Sequence, residues 1–239
     1  MRYYEREHFD AYARIKAEGL EQWSDLHANM DGFHDFPNRF FLERALPELT
    51  RGEVARVLEY GCGTGPAACY LAERGYEVHG IDLVPDAIDL ARRRAAERGL
   101  SIRFEVDDIC RWGEDPERYD IVLDSFCLQS IVLDADRDRV LDGVRRRLKP
   151  DGRYVLSTAM YEPDRDYGDD HYDPETGIEW VLTAEPHDDA RRIGQSWYLP
   201  HRRHLTAAAL RGELEGHGYR LIEQSPSGGD IVCVVEPRS

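Results

Sequence analysis

The sequence has few cysteines, and those it has follow no pattern. Five cysteines occur among 239 residues, and none forms a CxxC pair. An odd, scattered set provides neither a disulfide framework nor the ligand spacing of a zinc site. We therefore expect no metal, and we expect each cysteine to be a small buried apolar side chain. They are Cys62, Cys69, Cys110, Cys127 and Cys233.

Long hydrophobic runs are also lacking. No apolar run approaches the roughly 20 residues that a helix needs to cross a bilayer. The first 16 residues, MRYYEREHFDAYARIK, are charged from the second position and contain no apolar core of a secretory signal. These two absences predict a protein with no membrane partner, and the cytoplasm is the expected compartment.

Positive charge is scarce. The chain has 31 basic and 47 acidic residues, for a net charge of −16. A protein that grips a nucleic-acid backbone normally presents a concentrated positive surface. The short basic clusters at 92–94 and 145–149 fall on segments with helical periodicity, which favours solvated helix faces. We therefore expect a small-molecule partner and no nucleic acid.

An alternation of strands and helices begins near residue 55. The hydrophobic pattern predicts five strands, at 55–60, 76–83, 101–106, 119–125 and 152–160, with helices in the connections. This rhythm predicts a parallel sheet covered by helices. A helix at 205–218 is followed by two strands around a Pro/Gly turn, which predicts that an antiparallel hairpin ends the sheet.

Two segments lie outside this alternation. We expect residues 1–50 to form an N-terminal helical cap and residues 51–239 to form one domain with an insertion at 161–204. The insertion is too long for a plain connection. Its acidic stretch at 164–175 contains His171 but does not match a calcium loop, so a solvated lid is expected. Aromatic residues of the cap either cover a ligand or pack in the core: Tyr3, Tyr4, Trp23, Phe33 and Phe36.

The segment VLEYGCGTG carries the strongest functional signal. Gly61, Gly63 and Gly65 follow the first predicted strand directly. Glycine suits a sharp turn in which the backbone approaches a ligand, and the helix that follows offers its free N-terminal amides. A dinucleotide fingerprint, GxGxxG, would need glycine at Pro66. The spacing is instead GxGxG, with the acidic Glu59 two positions ahead.

This variant resembles motif I of the class I S-adenosylmethionine (SAM)-dependent methyltransferases, in which the loop wraps the methionine part of SAM. The resemblance covers 55–160 well, 205–236 less closely, and the remaining segments poorly. It implies a Rossmann-like α/β sandwich of three layers, with a seven-stranded, mostly parallel sheet in the order 3-2-1-4-5-7-6. It also implies SAM as cofactor and S-adenosylhomocysteine (SAH) as product.

Further positions match the family in chain order. Asp82 ends the second predicted strand, where a carboxylate can accept hydrogen bonds from both ribose hydroxyls. By resemblance, Asp108 and Ile109 contact the adenine, and Asp124 and Ser125 lie near the methionine end. The predicted cofactor-binding residues are Glu59, Gly61, Cys62, Gly63, Gly65, Asp82, Leu83, Asp108, Ile109, Asp124 and Ser125.

The acceptor site is less well marked. Many small-molecule members of the family have histidines at the positions held here by Gln129 and Ser130, so proton handling needs another group. His201, just before the last predicted helix, is the candidate general base because histidine titrates near working pH. The alternative is a surface histidine beside two arginines. The candidate acceptor-binding residues are Gln129, Trp197 and Tyr198.

These features predict transfer of a methyl group from SAM to oxygen, nitrogen or carbon of a small molecule. The acceptor is expected between the N-terminal cap and the 161–204 insertion. Two alternatives remain open. One is a SAM-binding enzyme of other chemistry, such as aminopropyl or carboxyl handling. The other is a non-catalytic binding module, which the intact glycine loop and Asp82 disfavour.

Overall fold

A computed structural model of the protein describes residues 2–26, 36–46, 54–113, 117–184 and 188–236. Phe33, one of the aromatic residues expected in the cap, lies outside this part of the chain. Within it, no helix is both long and apolar enough to span a bilayer. The five cysteines are free; Cys127 is partly buried and the other four are buried.

Eleven strands lie in the described ranges. They are β1 (Arg56–Tyr60), β2 (Glu77–Asp82), β3 (Arg103–Val106), β4 (Tyr119–Ser125), β5 (Leu148–Ser157), β6 (His171–Asp173), β7 (Ile178–Thr183), β8 (Arg191–Ile193), β9 (Ser196–Arg203), β10 (Tyr219–Gln224) and β11 (Asp230–Val235). Six α-helices accompany them: α1 (Glu5–Glu18), α2 (Arg39–Ala45), α3 (Pro66–Glu73), α4 (Pro85–Glu97), α5 (Asp134–Arg147) and α6 (Ala207–Gly216).

Seven of the strands form the main sheet, in the spatial order β3-β2-β1-β4-β5-β11-β10. The first five run parallel, and β11 pairs antiparallel with both β5 and β10. Once the four strands of the insertion are left out of the numbering, this is the order 3-2-1-4-5-7-6 that the resemblance implied. The carboxyl ends of β1, β2 and β4 therefore meet at one edge, where open α/β sheets bind ligands.

Both faces of the sheet are buried, as the apolar strands predict. Successive residues of β1 point to opposite faces: Val57 belongs to a core shared with α2, α3 and α4. Its neighbour Leu58 belongs to a second core shared with α5 and α6. The sheet is thus the middle of three layers, and its central strands have no solvent-facing side.

The N-terminal helices pack onto these layers. From α1, Tyr12 and Ile15 are buried against Ala87 and Leu90 of α4. The α2 helix contributes apolar side chains to the first core, among them Leu42. The expected helical character of this region is therefore present over α1 and α2. Its treatment as a separate cap that ends at residue 50 stays a prediction.

The insertion contains regular structure, although most of the acidic stretch at 164–175 is exposed to solvent, as expected. Strands β6 to β9 form a second, antiparallel sheet in the order β6-β7-β9-β8. Part of the acidic stretch, His171–Asp173, is an edge strand of this sheet. The ring of Tyr172 stacks on Tyr167 at 4.9 Å and on Tyr161 at 5.1 Å between centroids. Three residues are too few to show a strand period, and their pairing partner follows later in the chain.

Arg137 joins three elements beneath the ligand-binding edge. Its guanidinium, which is buried, donates through Nε and Nη2 to both carboxylate oxygens of Glu213 on α6, each at 2.6 Å. Its Nη1 donates to the carbonyl oxygens of Leu128 and Ile131 at 2.8 Å. Burial opposes ionisation, yet the Arg137 guanidinium holds the pKa of Glu213 below its ordinary value. Arg137 thus fixes the turn after β4 to α5 and α6.

We expect Arg137→Ala to lower the free energy of unfolding by about 3–5 kcal/mol, because it leaves a buried carboxylate without its partner. Urea titration at pH 7 measures this. Since the pKa of Glu213 is depressed, the ion pair stabilises the fold above the carboxylate's unfolded pKa and is lost as pH falls. The difference in unfolding free energy between the wild-type protein and Arg137→Ala should therefore become smaller at acid pH.

Arg14→Ala is the control, since Arg14 pairs with Glu18 on the exposed surface of α1. This change should leave stability unaltered. Equal stabilities of wild type and Arg137→Ala would contradict the role given to the buried pair.

Candidate functional site

The glycine loop connects β1 to α3 in a left-handed backbone conformation. Gly61 has a φ of 61° and Gly63 a φ of 56°, which side chains other than glycine rarely adopt. Space is equally restrictive. A Cβ on Gly61 would lie 2.5 Å from Sγ of Cys127, and a Cβ on Gly63 would lie 2.5 Å from Oη of Tyr12. Both glycines are thus required by backbone shape and by their neighbours.

Asp82 ties this loop to the end of β2. Its Oδ2 accepts a hydrogen bond from the backbone N–H of Gly63 at 2.8 Å, and its Oδ1 accepts from that of Val84 at 2.9 Å. Burial raises the pKa of Asp82 to about 6, although both N–H groups favour the charged form. Each carboxylate oxygen can accept a second hydrogen bond. Asp82 can therefore hold the loop and a ligand's hydroxyl groups together.

Glu59 lies beneath the loop on β1 and is 1% exposed. Among the described residues, its Oε2 has no hydrogen-bond partner. Burial and the charges of Asp124 and Asp82 together raise the pKa of Glu59 to about 8, so the carboxyl is mainly protonated at neutral pH until a positive group meets it. A buried acceptor without a partner is costly. Glu59 therefore provides a strong acceptor for a ligand that brings a positively charged or donating group.

These groups line a cavity of about 300 Å³ at the carboxyl ends of the strands. That is the lower end of the range for small-molecule sites. The cavity brings together ten of the residues that the sequence predicted: Glu59, Gly61, Cys62, Gly63, Asp82, Leu83, Asp108, Ile109, Ser125 and Gln129.

Two predicted residues lie behind the cavity wall. Gly65, at the start of α3, packs against Phe104 and Ala91. Asp124 is fully buried, and its carboxylate accepts from the Tyr60 hydroxyl at 2.7 Å and from the N–H of Cys127 at 2.6 Å. Asp124 therefore shapes the turn after β4 instead of lining the cavity.

The three predicted residues on β9 also lie elsewhere. Trp197 and Tyr198 pair with strand β7 and do not line the cavity. His201 lies between Glu7 at 3.3 Å and Glu179 at 3.6 Å. Burial opposes protonation, but these carboxylates raise the pKa of His201 above its ordinary value. The two carboxylates therefore favour the protonated form of His201, which opposes a role as a base, and His201 is not among the residues that line the cavity.

The pairing of β7 with β9 is irregular here: Glu179 pairs with Arg202 and Trp180 with Pro200, so His201 is an extra residue in β9. Arg202, the residue after His201, does line the cavity. Its guanidinium donates to both oxygens of Glu7, at 2.8 and 2.7 Å. The sequence showed both residues but not which of them faces inward. That choice depends on the register of β9.

One face of the N-terminal helix forms the roof of the cavity. Tyr4, His8 and Tyr12 are spaced by four residues, so they share a face, and all three line the cavity. The Tyr4 hydroxyl donates to Oδ2 of Asp108 at 3.0 Å, whose Oδ1 accepts from the N–H of Cys110. The sequence predicted aromatic residues of the N-terminal segment here, Tyr4 among them, but not His8 or Tyr12. Their spacing was the available signal.

Acidic side chains predominate over basic ones in the cavity. Four acidic side chains line it, and Arg202 is the basic side chain among the lining residues of the described ranges. Because that arginine is already paired with Glu7, the cavity suits a cation better than an anion. A dinucleotide, with its pyrophosphate, would meet the wrong charge. The acidic residues are Glu59, Asp82, Asp107 and Asp108.

Residues 57–152 match a family of protein domains described as a methyltransferase domain. The chain is 36% identical over 114 residues to the 2-heptyl-1-hydroxyquinolin-4(1H)-one methyltransferase of Mycobacteroides abscessus, which covers 46% of this chain and 50% of that protein. It is 40% identical over 121 residues to the demethylmenaquinone methyltransferase of Deinococcus radiodurans, with 50% and 49% covered. The chain thus spans about half the length of the curated relatives that it matches.

A solved structure extends the comparison to the whole fold. A SAM-dependent methyltransferase from Clostridium acetobutylicum superposes with a TM-score of 0.63 at 14% identity, covering 94% of this chain and 99% of that chain. At this identity the likeness shows the fold. The family match is the narrower finding, and it includes the glycine loop, Asp82 and Asp108.

We expect Gly63→Ala to destabilise the protein more than Gly99→Ala, its matched control. Gly99 has a similar φ of 66° but has no atom within 4 Å of an added Cβ. The control should therefore show the backbone cost alone, about 1–2 kcal/mol. Adding Tyr12→Phe removes the clashing oxygen, so it should narrow the difference. Chemical denaturation of the single and double variants measures each term.

Equal costs for Gly63→Ala and Gly99→Ala would show that Tyr12 does not limit the space over the loop. The same conclusion would follow if the double variant lost as much unfolding free energy as Gly63→Ala and Tyr12→Phe lose in sum.

Proposed function

We propose that this member of the class I SAM-dependent methyltransferase superfamily transfers a methyl group from SAM to a small-molecule acceptor. SAM, when bound, supplies a methyl carbon on a positively charged sulfur. The observation that carries the proposal is the cavity itself: a glycine loop, two buried carboxylates and an aromatic roof enclose one space at the ligand-binding edge of the sheet. Experiments with labelled SAM test it, because the label must reach an acceptor.

The residues fit the cofactor end to end. Asp82 has the remaining acceptor positions that two ribose hydroxyls need. Asp108 and Ile109 border the side where we place the adenine. At the other end, the unpartnered Oε2 of Glu59 suits the ammonium group of a methionine moiety. The acidic excess of the cavity suits a cationic ligand as a whole.

The rest of the cavity suits a flat, largely apolar acceptor. Several of its walls are apolar or aromatic: Trp23, Phe36, Pro37, Phe126, Cys127 and Ile131. Polar contacts are few. The Oε1 of Gln129 accepts from the backbone N–H of Ala159 at 2.9 Å, which leaves its amide N–H groups to bind an acceptor. The hydroxyquinolone of one relative's name is a molecule of this shape.

The chain's contribution to the reaction is placement and exclusion of water. In-line transfer to a nucleophile needs the two reactants aligned at contact distance, which a cavity that holds both of them supplies. The roof of Tyr4, His8 and Tyr12 excludes water from the transferred group. We place the acceptor between the roof and the turn after β4. The atom of the acceptor that receives the methyl group is oxygen, nitrogen or carbon.

We expect Asp82→Ala to weaken SAH binding by about 100-fold or more, because it removes two hydrogen bonds to a charged acceptor, each worth at least about 1.5 kcal/mol. Isothermal calorimetry measures the affinity. Asp120→Ala is the matched control: it removes the same charge at the amino end of β4, where Asp120 pairs with Lys149 outside the cavity. Unchanged affinity in Asp82→Ala would contradict the ribose assignment.

No binding of SAM or SAH to the wild-type protein at millimolar concentration would contradict the proposed function itself. A bound cofactor whose label never reaches any acceptor would favour other SAM chemistry.

The affinity for SAH should fall as pH drops below about 6. The pKa of Asp82 is raised to about 6, so its carboxylate takes up a proton earlier than an ordinary aspartate, and the neutral acid is a poorer acceptor. Calorimetry from pH 5 to 8 follows this change. The fall in SAH affinity below pH 6 should disappear in Asp82→Ala. If the variant still loses affinity over the same pH range, another group titrates there.

A further inference from the structure

His8 occupies the centre of the roof with one ring nitrogen already committed. Its Nδ1 lies 2.6 Å from the backbone carbonyl oxygen of Tyr4. A carbonyl oxygen only accepts hydrogen bonds, so Nδ1 carries the hydrogen. The neutral ring then presents a free electron pair at Nε2. Because His8 lines the cavity, this proton acceptor lies beside the space in which we propose that the reaction occurs.

The neighbours of His8 fix its place along the cavity. One helical turn before it, Tyr4 binds Asp108, at the end where we place the adenine. One turn after it, the Tyr12 hydroxyl lies over Gly63 of the glycine loop. The His8 ring packs on Trp23, with 5.1 Å between centroids and an interplanar angle of 32°. His8 is therefore held over the middle of the cavity, between the two ends of the cofactor site.

We propose that Nε2 of His8 is the general base of the methyl transfer, and that the acceptor is a small molecule with a hydroxyl group on an aromatic or heteroaromatic ring. This proposal rests on the proposed function. The acceptor hydroxyl gives its proton to Nε2 as an oxygen electron pair forms the bond to the methyl carbon. The carbon–sulfur bond breaks with its electrons left on sulfur, which becomes neutral. The positive charge passes to the imidazolium, which later releases its proton to water.

The surroundings keep the ring neutral at working pH. Burial lowers the pKa of His8 below its ordinary value, and the nearby positive charge of Arg202 and the ring of His201 lower it further. Glu7 and the Tyr4 carbonyl act in the opposite direction without reversing the shift. Protonation therefore begins at lower pH than for an exposed histidine, and the base form is available at neutrality.

A base at His8 would compensate for the histidines that this sequence lacks at positions 129 and 130. Gln129 and Ser130 stand where many small-molecule members of the family have histidines, and neither side chain is a base at neutral pH. His201, the other candidate, is held by two carboxylates outside the cavity lining. Among the histidines of the described residues, His8 is the one that lines the cavity. The roof thus supplies the proton acceptor that the turn after β4 lacks.

The first test observes the ring directly in the complex with SAH. We expect nitrogen NMR of protein labelled at histidine to show a neutral Nδ1–H ring at pH 7, with a titration midpoint below 6.5. The signal is assigned by its loss in His8→Asn, whose amide can replace the Nδ1–H donor to Tyr4. An Nε2–H ring, or a ring that is doubly protonated at pH 7, would overturn the proposal.

The second test uses 2-heptyl-1-hydroxyquinolin-4(1H)-one as the acceptor, with methyl-labelled SAM. His8→Asn should slow transfer by about 100-fold or more, the usual effect of removing a general base. SAH affinity should be preserved. The wild-type rate should fall in acid with a midpoint below 6.5, and the variant should lose this acid limb. His217→Asn is the matched control, because His217 pairs with Asp138 and Asp142 away from the cavity.

The outcomes separate the two proposals. A protein that fails to bind SAH refutes the proposed function. If the protein binds SAH, and the His8→Asn variant methylates the probe as fast as the wild type, only the assignment of the base is refuted. Loss of transfer in His201→Asn instead would assign the base to His201. If the wild-type protein binds SAH but does not methylate the probe, this acceptor is refuted. The NMR titration of the His8 ring is then the measurement that decides whether His8 is a base.

Discussion

The hydrogen bond from the Gly63 N–H to the Asp82 carboxylate is the contact on which the site depends. It joins the loop after β1 to the end of β2, two strands that pair side by side in the parallel sheet. The loop backbone must turn left-handed to make this bond, which is why glycine stands there. Without it, the loop and the carboxylate that we propose binds the ribose would be positioned separately, and the two would no longer form one side of the cavity.

The roof depends on this side of the cavity in turn. Tyr12 can pass over the loop because Gly63 has no side chain. The same helix is held at its start by the hydroxyl of Tyr3, which accepts from the N–H groups of Val132 and Leu133. Its far side packs against α4. One short helix therefore covers the cavity, packs in the core and carries the ring that we propose receives the acceptor's proton. A shift of this helix would change all three together.

Local patterns predicted the parts of this protein in which neighbouring residues make the structure. The glycine spacing and Asp82 lie in short segments of the chain, and the structure brings them together. The strand order was implied by the family resemblance, and the sheet has that order. The inward side of β9 was not predictable, because it depends on register and on a pairing irregularity beside Glu179. The role of His8 depends on a carbonyl and an indole that only the folded chain places beside it.

The cost of the site explains its chemistry. Glu59, Asp82 and Asp124 are buried close together, and burial raises the pKa of each carboxyl. Such groups oppose folding unless donors or cations meet them. Asp124 is met by Tyr60 and backbone N–H groups, and Asp82 in part by the loop. Glu59 keeps an unpartnered oxygen. A cationic ligand offsets what the fold alone leaves unbalanced, so the same burial that weakens the free protein favours the positive charge of SAM.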